Sequence, residues 1–349
     1  MKNIQTMKSA LLLAPGKFSL TETPIPDVQK GEMLVQVQTC CLCGSDLRTF
    51  LHGNSRTKFP AVIGHEISGI IARTGENCRF QTGEKVALGA DLPVSGDIWS
   101  ESGHPNLAEP NIALGYQKPG GLAEYCLIDA DTCQYGPVCK IPEKLDFDSA
   151  ALAEPIACCI NACENTGIKP GDNILIFGAG PVGLLLARAC LAFGADLVVL
   201  TDPEPERIAL AQKAGLNNSL LLPENITELQ QPFNLERNGF DAVFTACISP
   251  AAIKPALEST AKRGRLCLFA GYPQAYNMNI NPNIIHYREL TICGAHGSTP
   301  AQHRKAVELL ANGKIKAADL ITHHFPLEEI EKAIKTAQNR RCLKIAIHP

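Results

Sequence analysis

Through the first 150 residues the apolar positions come in short runs, Met33 to Val37, Ile67 to Ala72 and Lys85 to Leu88, with glycine- and proline-rich turns between them. Short runs punctuated at close intervals predict a mostly β domain. From about Asp172 the pattern changes. Continuous apolar stretches, Asn173 to Phe177, Leu197 to Leu200, Asp241 to Ala246 and Leu266 to Ala270, alternate with segments of helical period. Strands buried on both faces need no polar alternation, so this reads as parallel βαβ units. Ser249-Pro250 and Thr299-Pro300 each supply an N-cap followed by a first-turn proline, and the second of these helices should stop near Gly313. Pro255 falls inside the first, where a kink or a late helix start is expected. Glu328 to Lys335 has the pattern of an ordinary amphipathic helix, and no repeat or long charge run interrupts the chain.

Composition narrows the picture. At 349 residues, 45% hydrophobic and 19% charged, the chain can build two globular domains. A formal charge of -3 and a pI near 6.3 argue against a surface that tracks nucleic acid. The apolar run Ala10 to Ala14 is too short to span a bilayer, and Lys17 with the polar stretch after it matches no signal layout, so no membrane partner and a cytoplasmic location are expected. Fifteen cysteines form an odd set in a large chain with no sign of secretion, so most should be reduced thiols packed as small hydrophobes.

One motif carries a cofactor expectation. Asn173 to Phe177 leads into Gly178-Ala179-Gly180-Pro181-Val182-Gly183 and then an apolar helix, Leu184 to Phe193. Glycines there permit a tight turn and close approach of backbone to a pyrophosphate, while the helix N-terminus offers free N–H groups to the anion. The next strand ends at Asp202, where an acid can accept hydrogen bonds from adenosine ribose hydroxyls. With Glu204 and Glu206 close by and the neighbouring cation, Arg207, placed beyond them, a 2′-phosphate should be repelled and NAD preferred over NADP. Arg207, with Ala270 and Gly271 after the Leu266 to Ala270 strand, completes the expected cofactor contacts.

A second chemistry is spread along the chain in Cys43-Gly44-Ser45-Asp46, Gly64-His65-Glu66 and Glu154-Pro155. Each is weak alone. Thiolate, imidazole and carboxylate together suit a catalytic zinc with an open position. With the dinucleotide loop downstream, these segments resemble the medium-chain zinc-dependent alcohol dehydrogenases over essentially the whole chain. The resemblance implies an α/β protein. A GroES-like, β-rich catalytic domain would span residues 1–150, completed by about 296–349, and a Rossmann domain with a doubly wound parallel sheet would span 151–295. It implies Cys43, His65 and Glu154 as zinc ligands, with Glu66 in or beside the ligand set, Asp46 fixing the tautomer of His65, and Ser45 contacting the substrate hydroxyl and passing its proton outward. Cys40, Cys41, Cys158, Cys159 and Cys163 are read as packing residues. His104, His286, His323 and His324 have no partner that the sequence names. His296, in a stretch that lines the active-site cleft in relatives, is either a substrate contact or a structural histidine.

Departures from the family shape the substrate expectation. Many relatives carry a structural zinc on a four-cysteine lobe. Aligning Pro93 and Asn106-Leu107 puts Val94, Asp97, Ser100 and Ala108 at those positions, so only one zinc per chain, the catalytic one, is expected. Loss of that site together with a glutamate at position 154 is also found among sorbitol-type polyol dehydrogenases. Five residues after the cysteine ligand, where many relatives have a relay histidine, stands Arg48. Either the proton leaves by water or Arg48 binds an anionic substrate group. Ser298 replaces an arginine that threonine dehydrogenases tend to carry. The expected activity is NAD-linked oxidation of a secondary hydroxyl of a polyol or polyol phosphate, by a homo-oligomer. The alternatives are another zinc alcohol or amino-alcohol dehydrogenase, such as L-threonine 3-dehydrogenase, and a zinc-free quinone or enoyl reductase.

Overall fold

The structure is a computed structural model that describes residues 5–229, 231–233, 235, 238–272, 275–339 and 341–349. The chain divides into two compact units, Met1–Ala157 with Gly297–Pro349, and Cys158–His296. The division falls inside the helix Ala153–Thr166 rather than ahead of it.

In the discontinuous unit a seven-stranded sheet runs in the order Val138–Lys140, Lys85–Leu88, Glu66–Thr74, Met33–Cys41, Lys344–His348, Ile321–Pro326, with Tyr125–Ile128 also paired to Met33–Cys41. Its pairs are antiparallel except the last, Ile321–Pro326 with Lys344–His348, which is parallel. A three-stranded sheet, Lys17–Pro24, Thr6–Ala14 and Ala61–Val62, closes the unit's other side. Met33, Val35, Val37, Ile67, Ile71 and Leu88 pack into one buried core, as their alternation along the strands requires. Register carries function here. Glu66 pairs with Cys41, and Cys41 pairs with Ala346. Lys344, two residues before Ala346, therefore shares a sheet face with Glu66 from two strands away.

The continuous unit is a six-stranded, all-parallel sheet in the order Ser219–Leu221, Leu197–Asp202, Asn173–Phe177, Phe240–Thr245, Thr260–Leu268, Thr291–Gly294. Numbered within the unit this is 3-2-1-4-5-6, the doubly wound order that opens a crevice beside the first strand. Phe240–Thr245 is buried at every position, which explains the continuous apolar stretch Ala242 to Phe244 at its centre. The helix expected after Ser249 begins late. A 3₁₀ turn, Pro250–Ala252, precedes the helix Ile253–Ser259, so Pro255 sits in a first turn where its missing N–H costs nothing. The helix after Thr299 spans Pro300–Ala311, and Gly313 follows with φ +74°. No helix among the described residues is long and apolar enough to cross a membrane.

Candidate metal centre and cofactor loop

Cys43 is the N-cap of the helix Gly44–His52, which leaves its thiol at the positive end of that helix. Its backbone N–H donates to Asp46 Oδ2 at 2.9 Å. Asp46 is buried, and its Oδ1 accepts the Gly64 N–H at 3.3 Å and lies 3.4 Å from His65 Nδ1. One carboxylate thus ties the loop that carries Cys43 to the loop that carries His65. Burial works against the Asp46 charge, yet His65 and the Cys43 N–H hold the carboxyl below its ordinary range. Burial likewise opposes charge on His65, and Asp46 overrides it and raises the imidazole well above its usual value. Gly64 makes the turn into His65 at φ +94°, where a Cβ would run into Cys40 Sγ.

The ligand atoms of Cys43, His65 and Glu66 lie within 4.8 Å of one another. Glu66 Oε1 accepts a hydrogen bond from Lys344, while its buried Oε2 has no partner. Glu154 does not join that trio, though it is close enough to feel it. Burial first, then the neighbouring Glu66 and Asp91 charges, push its carboxyl up to about 7 against the pull of His65. Buried acids crowd this corner more densely than buried cations. A thiolate, an imidazole and carboxylates around an orphaned oxygen fit a zinc ion, which would supply the missing positive charge.

Around this corner stand further groups that no sequence motif marks. Tyr116 lies with its ring 5.5 Å from that of His65 and shares a hydrogen bond with Ser45. Ser45 Oγ is 3.5 Å from His65 Nε2. The Arg56 guanidinium sits 4.7 Å over the Tyr116 ring and donates to Asn111 Oδ1 at 2.5 Å. Asn111 in turn donates to Asp91 Oδ1 at 3.0 Å, and Asp91 Oδ2 accepts the Ser298 N–H at 3.1 Å. Lys344 could have been suspected, since it is a lone charge in the apolar run Leu343 to Ile347. Tyr116, Arg56 and Asp91 left no such trace.

Arg48 is exposed on the helix that follows Cys43 and makes no hydrogen bond or ion pair among the described residues. His296 is exposed, and its backbone carbonyl accepts the Asn161 side-chain amide. Ser298 and Thr299 are buried, and the Thr299 hydroxyl is occupied as a helix cap, accepting the Gln302 N–H at 3.2 Å.

The lobe around Asp97 is held by hydrogen bonds where relatives use metal. Asp97 Oδ1 accepts the Ser100 N–H at 2.9 Å, Asp97 Oδ2 the Glu109 N–H at 3.4 Å, and Ser100 Oγ the Val94 N–H at 3.0 Å. Positions 94, 97 and 100 are thereby linked directly to one another.

In the other unit, Gly180 is the N-cap and Pro181 the first residue of the helix Pro181–Ala192, followed by Val182. A Cβ on Gly183 would collide with the Gly178 carbonyl oxygen, so the turn admits only glycine there. Asp202 Oδ2 accepts the Ala179 N–H at 2.9 Å and Oδ1 the Glu204 N–H at 3.0 Å. Arg207 reaches back past the two acids to the loop. Its Nη1 lies 2.6 Å from the point a Cβ on Gly180 would occupy, directly over the phosphate loop. The strand expected to end at Ala270 stops at Leu268. The Ala270 N–H donates to the Thr245 carbonyl, and Gly271 is open to its surroundings.

Comparison with known proteins gives the same two-part picture. The alcohol dehydrogenase GroES-like domain matches residues 29–142, and the zinc-binding dehydrogenase domain matches residues 181–312. Sorbitol dehydrogenase of Bacillus subtilis is 30% identical over 99% of this chain and 98% of its own. D-xylulose reductase of Saccharomyces cerevisiae is 30% identical over 96% of this chain and 95% of its own. A zinc-binding dehydrogenase structure from Sinorhizobium meliloti, bound to NADP, superposes with a TM-score of 0.91 at 27% identity, covering 99% of this chain and 100% of the other.

Proposed function

We propose, for a chain that belongs to the zinc-dependent medium-chain alcohol dehydrogenases and is therefore an oxidoreductase acting on CH–OH, that its substrate is a polyol or polyol phosphate oxidised at a secondary hydroxyl with NAD. The observation that carries the catalytic part is the buried cluster of Cys43, His65, Glu66 and Glu154, whose acids outnumber the cations that face them. Cys43, His65 and Glu66 would hold the zinc through Sγ, a ring nitrogen and Oε2, with Glu154 as the fourth protein group at the open side. A bound zinc supplies Lewis-acid polarisation of the substrate hydroxyl.

The chain's own groups do the rest. Asp46 holds His65 in one orientation, and Lys344 holds Glu66 so that only Oε2 is left to face inward. Ser45 Oγ would accept the proton of the substrate hydroxyl while it passes its own to the Tyr116 phenol oxygen, which releases its own to solvent, so that both groups stay neutral before and after. This route needs no histidine at position 48. The nicotinamide, when bound, accepts the hydride. Gly178, Gly180, Pro181, Val182 and Gly183 would cradle its pyrophosphate, with Ala270 and Gly271 beyond them. The Asp202 carboxylate favours NAD, because a 2′-phosphate would approach a buried negative charge. Arg207 over the loop pairs with the pyrophosphate in this reading.

The polyol assignment draws on the sorbitol- and xylulose-directed relatives and on the metal-free lobe at Asp97. The same reading places one zinc at this centre and none on that lobe, in a cytoplasmic homo-oligomer. Fifteen free cysteines support a reducing compartment. The test is an NAD-coupled screen of sorbitol, xylitol, their phosphates and L-threonine, with and without a chelator, on the parent and Cys43→Ala. Turnover of a polyol that is lost with chelator and in Cys43→Ala supports the proposal. Turnover of threonine alone, or of simple primary alcohols with no polyol activity, overturns the substrate class.

A further inference from the structure

Away from the centre just described, Asp148, His324 and His348 converge on the surface of the discontinuous unit, with one ligand atom of each within 4.8 Å of the others. They arrive from separate elements: the helix Phe147–Ala151 and the parallel strands Ile321–Pro326 and Lys344–His348. Strand register places His324 opposite Ala346 and His348 opposite Pro326. The two histidines are therefore diagonal neighbours on one face. Their rings stack at 5.5 Å and 9°. His323 points to the other face and stacks on Phe325 instead.

The spacing is that of a coordination shell. His324 Nδ1 is 3.2 Å from His348 Nε2 and 3.4 Å from Asp148 Oδ2, and His348 Nε2 is 3.8 Å from Asp148 Oδ1. Nitrogen and oxygen ligands at about 2.0–2.1 Å from a tetrahedral zinc stand roughly 3.3–3.4 Å from one another. Neighbouring groups also hold the ligands as a metal requires. The His348 Nδ1–H donates to the Gln38 carbonyl at 3.0 Å, which fixes that proton and leaves Nε2 as a lone pair toward the cluster. The Thr39 hydroxyl donates to Asp148 Oδ1 at 2.6 Å, fixing the carboxylate. Without a metal, His324 must donate its Nδ1 proton to His348. With a metal, that proton moves to the exposed Nε2 of His324, and both lone pairs face the ion. His324 is 52% exposed, so water can complete the shell.

We propose that Asp148, His324 and His348 form a second metal site, one that takes a divalent ion of the zinc class. Two imidazoles and a carboxylate select such ions over calcium or magnesium. The ion would clamp the helix Phe147–Ala151 to the two terminal strands. It is distinct from the lobe at Asp97, where Val94 and Ala108 offer no ligand.

The test uses the zinc-loaded full-length protein, equilibrated with graded Zn²⁺ and analysed for bound metal, with thermal midpoints measured in parallel. The parent should bind one zinc more than His324→Ala. Cys43→Ala, which removes a ligand of the primary centre, should keep this extra ion and a zinc-dependent rise in midpoint. His324→Ala and His348→Ala should each weaken binding of the extra ion by about tenfold or more. Asp148→Asn should do the same, and His324→Gln checks that the loss does not follow from truncation. His324 is exposed and His348 half-buried, and neither belongs to the hydrophobic core, so the folding of these variants is not at issue. Equal zinc content and equal zinc-dependent midpoints in the parent and His324→Ala would overturn the proposal, whatever the activity screen returns.

Discussion

Lys344 donates a hydrogen bond to Glu66 across 278 residues of sequence, with side chains only 2% and 0% exposed. Burial alone would lower the lysine's affinity for its proton, and the Glu66 charge reverses this and raises it well above the ordinary value. Replacing Lys344 by methionine keeps the volume and abandons a buried carboxylate. Lys344→Met should therefore cost about 3–5 kcal/mol in denaturant unfolding of the metal-free protein. The double variant Lys344→Met/Glu66→Gln should recover most of that stability while binding zinc more weakly than the parent. No recovery would mean that the lysine supports the fold by packing rather than by charge.

The proposed cofactor site sets two side chains of opposite sign, Asp202 and Arg207, beside one loop. Asp202→Asn can still accept the Ala179 N–H but loses the charge, so it should shift the kcat/KM ratio toward NADP by about tenfold or more, equivalent to ~1.4 kcal/mol. Arg207→Gln should weaken both cofactors, because the guanidinium lies over the loop that serves either one. Steady-state kinetics with the two cofactors decide this. An unchanged ratio in Asp202→Asn would remove that carboxylate from the selectivity argument.

His303 predicts a specific acid sensitivity. It is fully buried in the helix Pro300–Ala311, and burial lowers its pKa to about 4 from an ordinary 6.5. The native state keeps the ring neutral while the unfolded chain takes up a proton below pH 6.5. The stabilisation is therefore complete above that pH and is lost progressively as pH falls toward 4. The full span corresponds to a contribution on the order of 3 kcal/mol. His303→Phe should flatten the stability profile across that window, and an unchanged slope would assign the acid sensitivity to other groups.

The lobe at Asp97 contains Trp99, the sole tryptophan of the chain, which makes it directly observable. Asp97→Ala removes the cap on Ser100 and the contact to Glu109. Trp99 emission should then change, and the lobe should become more sensitive to protease, while zinc content stays constant. A fall in zinc content on this substitution would show that the lobe carries metal after all.

Local chemistry was legible and distant pairing was not. The loop from Gly178 to Gly183 and the carboxylate at Asp202 are fixed by short-range geometry, so spacing alone exposed them. The segments of Cys43 and His65 are each weak alone, and only the resemblance of the whole set to the family singled them out. The strand register that brings Lys344 to Glu66, or His348 to Asp148, depends on how segments far apart in sequence pair, and no local pattern records it. Arg207 shows the reverse failure: sequence order placed it beyond the two acids, whereas its long side chain folds back over Gly180. Thr299 was legible as a cap because the Thr-Pro step and the glutamine three residues on lie side by side in the sequence.

The late position of the strand Lys344–His348 has a consequence for biosynthesis. That strand lies between Met33–Cys41 and Ile321–Pro326, and no other described strand fills the gap. While the chain is being made, Cys43, His65 and Glu66 emerge 278 residues or more ahead of the lysine that balances Glu66. Until then the half-built sheet exposes an unpaired edge beside an uncompensated carboxylate. The nascent chain must shield that edge through synthesis of the whole Cys158–His296 unit, and Glu66 gains its counter-charge only after that unit has been made.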